Sequence, residues 1–205
     1  MIIAIHTTRG GAGSTTIAAH ICKLAQDQGV TVCAMSSDPA QELRRWLDPL
    51  AIPCIGPEGD DSISATLLVI DVRTSSRPPI GPDIWVVPIS DRLAYEHAVQ
   101  LSDGLMGEIY WLPVGGYELG PESVPAYLRD TVVIAPNVPY SRAIHISSAQ
   151  QRVVWSIDGL EKTPGAHALS RSLRTIFELA EVVPGVMPAP SERAIETSVV
   201  RASQA

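Results

Sequence analysis

The sequence predicts an α/β protein: an open, doubly wound, mostly parallel sheet with helices on both faces. Three observations predict it. Short apolar runs recur at 2–5, 31–35, 67–72, 84–88, 109–112 and 131–134. Most are continuously apolar rather than alternating, as strands buried on both faces are, and parallel sheets bury both. Helical patterns fall between the runs, so strand and helix alternate through right-handed crossovers.

Each element has its own warrant. Residues 2–5 (I-I-A-I) open the sheet. The next pattern, 15–28, sets Ile17, Ala18, Ile21, Leu24 and Ala25 on one stripe and stops at Gly29. After the strand at 31–35, residues 48–63 are rich in proline, glycine and acid and predict a loop. The runs 67–72 and 84–88 follow. Asp91 is placed to cap a helix over 91–106. A short helix is predicted over 121–129, with proline near its start. Helices over 141–151 and 167–183 complete the series. The stretch after Val183, V-P-G-V-M-P-A-P-S-E-R, breaks structure twice. One domain is therefore expected over 1–183, with a flexible tail over 184–205. A weak amphipathic pattern at 192–202 could serve a partner. No internal repeat is visible.

Composition narrows the classes. A chain of 205 residues can bury one continuous core. Net charge is -7, which argues against a wholesale nucleic-acid binder and leaves room for a local basic patch. Thirteen of the fifteen basic residues are arginine, so a cationic surface would be built of forks suited to phosphate or carboxylate. Cys22, Cys33 and Cys54 lack metal-ligand spacing, and Cys22 and Cys33 read as small core residues. An odd cysteine count without a signal peptide fits a reducing cytosol. No apolar run reaches the ~18 residues that a membrane span needs.

The chemistry concentrates at residues 7–16, T-T-R-G-G-A-G-S-T-T. Gly10, Gly11 and Gly13 let the backbone turn tightly and bring its N–H groups close to an anion. Thr15 and Thr16 open a helix whose N-terminal dipole favours phosphate. Thr15 sits where a hydroxyl can reach Mg²⁺. The candidate cradle is Gly10, Gly11, Ala12, Gly13, Ser14, Thr15 and Thr16. The bland alternative is a tight strand-to-helix turn whose glycines serve packing alone. His6, His20, His97, His145 and His167 have no metal spacing, and His6 at a strand end reads as a packed histidine before a phosphate contact.

The whole pattern resembles the deviant phosphate loop of the ParA/MinD family of P-loop ATPases, K-G-G-x-G-K-[TS]-T. Gly10, Gly11, Gly13, Thr15 and Thr16 match, while Arg9 and Ser14 stand where that loop carries lysines. The family's second strand ends in D-x-D-P, and here C-A-M-S-S-D-P carries Asp38 and Pro39, with Ser36 replacing the earlier acid. The resemblance implies that Asp38 helps position an attacking water. A helix cap is the bland reading of Asp38. The run L-L-V-I-D-V-R ends in Asp71, similar to the family's Walker B aspartate, which holds a magnesium-bound water. D-I-W-V-V-P-I-S is similar to the next strand. A-P-N-V-P-Y-S-R-A-I-H-I-S-S-A-Q-Q-R-V-V-W is similar to the segment where a nucleotide-edge loop leads into a helix. The likeness runs from residue 1 to about 183.

What the resemblance implies is ATP/ADP and Mg²⁺ as cofactors, with Thr15 and Asp71 serving the metal. It also implies a homodimer in the nucleotide-bound state, a ParB-like or other adaptor, and a role in DNA or plasmid partition or in positioning a cargo. Non-specific DNA binding would use Arg142, Arg152, Arg171 and Arg174, for which a solvated helix surface is the bland reading. The location would be cytoplasmic, and nucleoid-associated if DNA is bound. No membrane is expected, because the tail A-I-E-T-S-V-V-R-A-S-Q-A has little apolar mass and one arginine.

The departures matter as much. Ser14 cannot supply the lysine cation that reaches the β and γ phosphates. Losing a charge-assisted bond to phosphate costs roughly 1.5–3 kcal/mol, about one to two decades of affinity. Arg9 keeps its charge and could act in trans, like an arginine finger. Pro113 stands where the family places an adenine-reading asparagine, and Asn137 is the substitute candidate. Two readings follow: a ParA-like ATPase with weak or partner-dependent turnover, and a pseudo-ATPase scaffold or regulator that keeps the fold without turnover.

Overall fold

Six of the apolar runs pair into one sheet, and a seventh short strand joins its edge. The computed structural model describes residues 1–7, 13–36, 41–56, 64–72, 78 and 80–179. Arg9, Gly10, Gly11, Ala12 and Asp38 lie outside these, as do residues 180–205. The strands are β1 (Ile2–His6), β2 (Val32–Ser36), β3 (Cys54–Ile55), β4 (Leu67–Val72), β5 (Ile84–Ile89), β6 (Glu108–Pro113) and β7 (Val132–Ile134). Their order across the sheet is β3-β2-β4-β1-β5-β6-β7, and every pairing is parallel. The prediction of a doubly wound parallel sheet is met.

The helices are α1 (Ser14–Asp27), α2 (Glu42–Leu47), α3 (Arg92–Ser102), α4 (Arg142–Gln150) and α5 (Pro164–Leu179). They divide between the faces by the strands' period of two. Ile3 and Ile5 of β1, with Leu67 and Val69 of β4, face a core built with α1, α2, α4 and α5. Ala4, Ile70 and Val72 face the opposite core, closed by Ala94 and Ala98 of α3 and by Val124 and Leu128. Both faces are dry, which is why these strands carry unbroken apolar runs. Cys22 and Cys33 are buried, and Cys54 is half-buried.

Asp91 caps α3 as expected: the Ala94 N–H donates to Asp91 Oδ1 at 2.9 Å. α5 begins earlier than its apolar stripe suggested, with Pro164 at its start and the Thr163 hydroxyl accepting from Ala166 N at 3.3 Å.

Three expectations need correction. The helix predicted over 121–129 is two 3₁₀ turns, Pro121–Ser123 and Ala126–Leu128. Pro125 separates them, because the residue before a proline is pushed out of the helical region, and Val124 is extended. The loop predicted over 48–63 contains a 3₁₀ turn at Asp48–Leu50 and the strand β3. β3 is only two residues long, too short for any alternation to show. It is held by Ala34 N donating to Pro53 O at 2.8 Å and by the Ala34–Cys54 register. The short helix α2 was not placed, although Leu43, Trp46 and Leu47 are its buried stripe.

At the strand N-termini, Asp83 ties three strands together. Its carboxylate accepts from Ile2 N at 2.7 Å and its carbonyl from Glu108 N at 3.2 Å. Gly107 sits against that carbonyl with φ +103°, where an added Cβ would lie 2.8 Å from Asp83 O. Both the backbone conformation and the space exclude a side chain. Gly107→Ala is expected to cost about 2 kcal/mol or more. A fall in the denaturant midpoint at unchanged m-value would register it.

Candidate functional site

The site is built where the first strand turns into the first helix. Gly13 adopts φ +85°, a left-handed conformation, and α1 starts at the next residue. Among the described residues a Cβ at Gly13 would meet nothing within 4 Å, and the left-handed dihedral is what favours glycine here. The first turn of α1 carries no acidic residue of its own; the carboxylate that meets it is that of Asp71, from β4.

Thr15 lies in that first turn, and its hydroxyl donates to Asp71 Oδ2 at 2.7 Å. Alternation along β4 explains the meeting. Leu67 and Val69 face α1, so Asp71, two residues on, faces it too. Asp71 is aligned with Ile5 of β1 and with Ser36 of β2, the residue standing in place of an acid. Both Asp71 and Ser36 are buried. A hydroxyl and a carboxylate oxygen are hard donors that suit Mg²⁺. Among the described residues no group of three His, Cys, Asp or Glu could hold a metal. The chain thus offers a partial shell, of the kind a Mg²⁺ ion arriving on phosphate oxygens would complete.

Beside this pair opens a cleft of about 230 Å³. It follows from the sheet order. β1 pairs with β5 only as far as Ile5–Val86, while β5 runs on to Ile89. α1 covers one face and α3 the other, so the strands' C-terminal ends part at a topological switch point. Pro88 falls beyond the β1 pairing, where its missing N–H leaves no gap in that ladder. Gly13, Thr16 and Ile17 form one wall, and Ser90 and Gly115 the floor at the strand ends. Val138, Pro139 and Tyr140 form the far wall.

The far wall is anchored from two sides. Val138 N donates to Pro113 O at 2.9 Å, and the Ser172 hydroxyl of α5 donates to Pro136 O at 2.7 Å. α5 reaches this close because residue 165 is glycine: a Cβ there would collide with the Ser141 hydroxyl. Across the cleft, Thr16 Oγ1 and Ser148 Oγ approach to 3.4 Å. Asn137 is not among the lining residues, and its Oδ1 is buried without a partner among the described residues.

The remaining predicted residues divide. Ser14, Thr15, Thr16 and Asp71 come together at the start of α1. Arg142, Arg152, Arg171 and Arg174 are exposed on α4, after it, and on α5. Arg152 donates to Ser156 O at 2.6 Å and Arg174 to the Ser170 hydroxyl at 3.3 Å, which leaves their positive charge uncompensated by either contact. His6 is buried, 6.1 Å from Trp85 between ring centroids, on the face away from α1. Burial lowers its pKa, partly offset by a backbone contact with Thr7.

Sequence reasoning missed His20. Its Nδ1 lies 2.7 Å from Thr16 O, and its Nε2 accepts from Val154 N at 3.0 Å. Accepting at Nε2 requires the neutral ring with its proton on Nδ1, donated to Thr16 O. Trp46 and Trp155 pack edge-on against it, at 5.7 and 5.2 Å. The histidine therefore pins the first turn of α1 to residues 153–156, and nothing in its spacing advertised this. The residues of α4 that face the cleft were also missed. The resemblance pointed to the segment as a nucleotide-edge loop leading into a helix, but only the helical period aligns Ser141, His145 and Ser148 within it.

No family model matches the sequence, and no curated protein matches it in sequence. Solved structures do match in shape. The septum site-determining protein MinD of Pyrococcus horikoshii OT3, in complex with Mg-ADP, superposes with a TM-score of 0.63 at 14% identity. The match covers 90% of this chain and 99% of that one. This is the fold of the MinD and ParA type P-loop ATPases. McdA of Cyanothece, in an ATP complex, gives a TM-score of 0.60 at 14% identity over 91% of this chain and 98% of its own. A protein described as a plasmid partition protein of Borrelia burgdorferi B31, bound to AMPPNP, gives 0.59 at 12% identity, with 87% and 98% covered.

Two outcomes are expected of the protein without ligand. Thr15→Val should destabilise it by about 1–3 kcal/mol, because a buried carboxylate loses a hydroxyl donor, readable by thermal or urea unfolding. Burial lowers the His20 pKa from 6.5 to about 4. The unfolded chain therefore binds a proton that the native one refuses. Stability from this residue is complete above about pH 6.5 and falls by roughly 3 kcal/mol as pH drops to about 4. Urea midpoints measured from pH 7 to 4 should show this slope, and His20→Phe should flatten it.

Proposed function

We propose that this protein is a ParA-like, nucleotide-dependent dimerising protein that serves DNA or plasmid partition or the positioning of an intracellular cargo. The observation that carries the reading is the Thr15–Asp71 hydrogen bond of 2.7 Å at a helix N-terminus whose first turn has no acid of its own. It joins a metal-type hydroxyl at the start of α1 to a carboxylate at the C-terminal end of β4, next to β1 in the sheet. The MinD, McdA and partition-protein structures of the same fold hold Mg-ADP, ATP and AMPPNP. Their ligands support ATP or ADP with Mg²⁺ as the cofactors here.

The residues fit that metal. Thr15 would hold Mg²⁺ through its hydroxyl, and Asp71 would hold a water of its shell. When bound, the ion would neutralise charge on the phosphates. The chain's own part is to orient. Gly13 sets the turn, the α1 amides face the phosphates, and Thr16 lines the path into the cleft. Arg9, from a second subunit, supplies the cation that Ser14 lacks, and Asp38 positions the attacking water. Hydrolysis is weak or depends on a partner, an adaptor of the ParB kind. Arg142, Arg152, Arg171 and Arg174 form the non-specific DNA surface, since phosphate contacts need charge and reach more than base-specific geometry. The protein is cytoplasmic and nucleoid-associated when bound to DNA. Among the described residues no helix is long and apolar enough to cross a membrane.

A second reading has its own support. Ser14, at the first position of α1, is short and neutral where a lysine would reach the β and γ phosphates. A pseudo-ATPase scaffold or regulator that keeps the fold and the interface fits that residue. Calorimetric titration of Mg-ATP into the wild type and into Ser14→Lys separates the two. Binding by the wild type, with a tenfold or greater gain for Ser14→Lys, supports a live but weakened site. Binding by Ser14→Lys alone supports the scaffold. Binding by neither removes the nucleotide reading.

A further inference from the structure

We propose that His20 is a positioning residue for the site: through one hydrogen bond on each ring nitrogen it fixes the distance between α1 and α4, and so the width of the cleft. This rests on the nucleotide reading above and adds what holds the two walls in place for the ligand.

One end of the brace lies in a wall of the cleft. His20 stands one helical turn after Thr16, and its Nδ1–H donates to Thr16 O across 2.7 Å. Thr16 lines the cleft, so the residue that is gripped is one the ligand meets. The other end is the 3₁₀ turn Val154–Ser156, where Val154 N donates to His20 Nε2 at 3.0 Å. That turn is tied in its own right to α4 and α5. Arg152, two residues before it, exchanges bonds with Ser147 of α4. Arg152 N donates to Ser147 O at 3.1 Å, and the Ser147 hydroxyl donates to Arg152 O at 2.5 Å. Trp155 Nε1 donates to Ala166 O of α5 at 3.4 Å. α4 brings Ile144 and Ser148 to the cleft, and α5 brings Leu169. A shift of His20 against Val154 therefore moves one wall relative to the other.

Thr16 Oγ1 and Ser148 Oγ also approach across the cleft, but at 3.4 Å and exposed, where water competes for both hydroxyls. The brace lies inside. His20 is 0% exposed, with Trp46 and Trp155 edge-on against its ring. Both of its bonds need the same tautomer. With the proton moved to Nε2, two acceptors would face each other at Thr16 O and two donors at Val154 N. Away from water both mismatches are costly, so the ring is held in one state. Walls held in advance spare the ligand the cost of ordering them, and apparent affinity rises with the fraction of molecules already in the binding geometry.

The test separates the two bonds from the bulk of the ring. His20→Phe fills the space between Trp46 and Trp155 and makes neither bond. His20→Asn sets a donor at the δ position, toward Thr16 O, and stops short of Val154. His20→Gln reaches the ε position and offers Val154 N an acceptor. Mg-ATP is titrated calorimetrically into the full wild-type chain and the three variants, each checked for a cooperative thermal transition. The expected result is a loss of affinity of about tenfold or more for His20→Phe and His20→Asn, with His20→Gln within about threefold of the wild type. A ring that only fills space gives the reverse order, with His20→Phe the best retained, and that order overturns the proposal. Equal affinities across the three variants, lost or kept, overturn it as well. If His20→Phe does not fold, His20→Gln against His20→Asn decides in the same way. Nitrogen-15 spectra of the histidine side chains, with His20→Gln assigning the signal by its loss, should show His20 protonated at Nδ1. Protonation at Nε2 overturns the proposal and leaves nucleotide binding standing. No binding of Mg-ATP by the wild type removes the nucleotide reading and this one with it.

Discussion

The structure depends on one constraint: a parallel sheet must be covered on both faces, and the covering changes face between β1 and β5. α1 leaves β1 toward one core and α3 leaves β5 toward the other. The two strands cannot stay paired while their continuations diverge. Their ladder stops at Ile5–Val86, and the C-terminal ends open. The cleft occupies that opening and the start of α1 lines it, while the Thr15–Asp71 contact lies on the other side of β1, toward β4. Burial and function are not separate designs here. The geometry that keeps both faces dry also produces a concave, polar-rimmed edge.

Within that edge the electrostatics are unusual for a phosphate-type site. The side chain at the first position of α1 is a serine, and the first turn carries no acid. What attraction for an anion the described residues offer comes mainly from oriented backbone amides and the helix dipole, which are fixed in place and need no reorganisation. A charged side chain adds affinity through strong charge-assisted bonds. Amides alone hold an anion in position with less force.

Much of this was legible. The strand runs were visible because two-sided burial leaves no polar punctuation, and all six are found within a residue or two. Asp91 announced its cap by chemistry. Thr15 and Asp71 were linked by the resemblance of their motifs, and strand period and helix start explain why they meet. What could not be read has physical reasons. β3 is too short for a period. The 121–129 segment breaks at Pro125, whose effect on Val124 outweighed the helical composition. His20 looks like any apolar-helix histidine, because its partners, Thr16 O and Val154 N, are backbone atoms that no side-chain pattern reports. The cleft's wall on α4 depends on Gly165 letting α5 approach, a contact between distant residues.

That last contact bears on how the site comes into being during synthesis. The Thr15–Asp71 end of the site is made by β1, α1 and β4, all complete by Val72. The far wall of the cleft is anchored by α5, through Ser172 to Pro136 O and through Gly165 against Ser141. A chain emerging from its N-terminus can assemble the first end early, but the cleft has no far wall until almost the whole described chain is available. A truncated chain lacking α5 would therefore keep the Thr15–Asp71 contact and lose the cleft, so the enclosed cleft marks a domain that has finished folding.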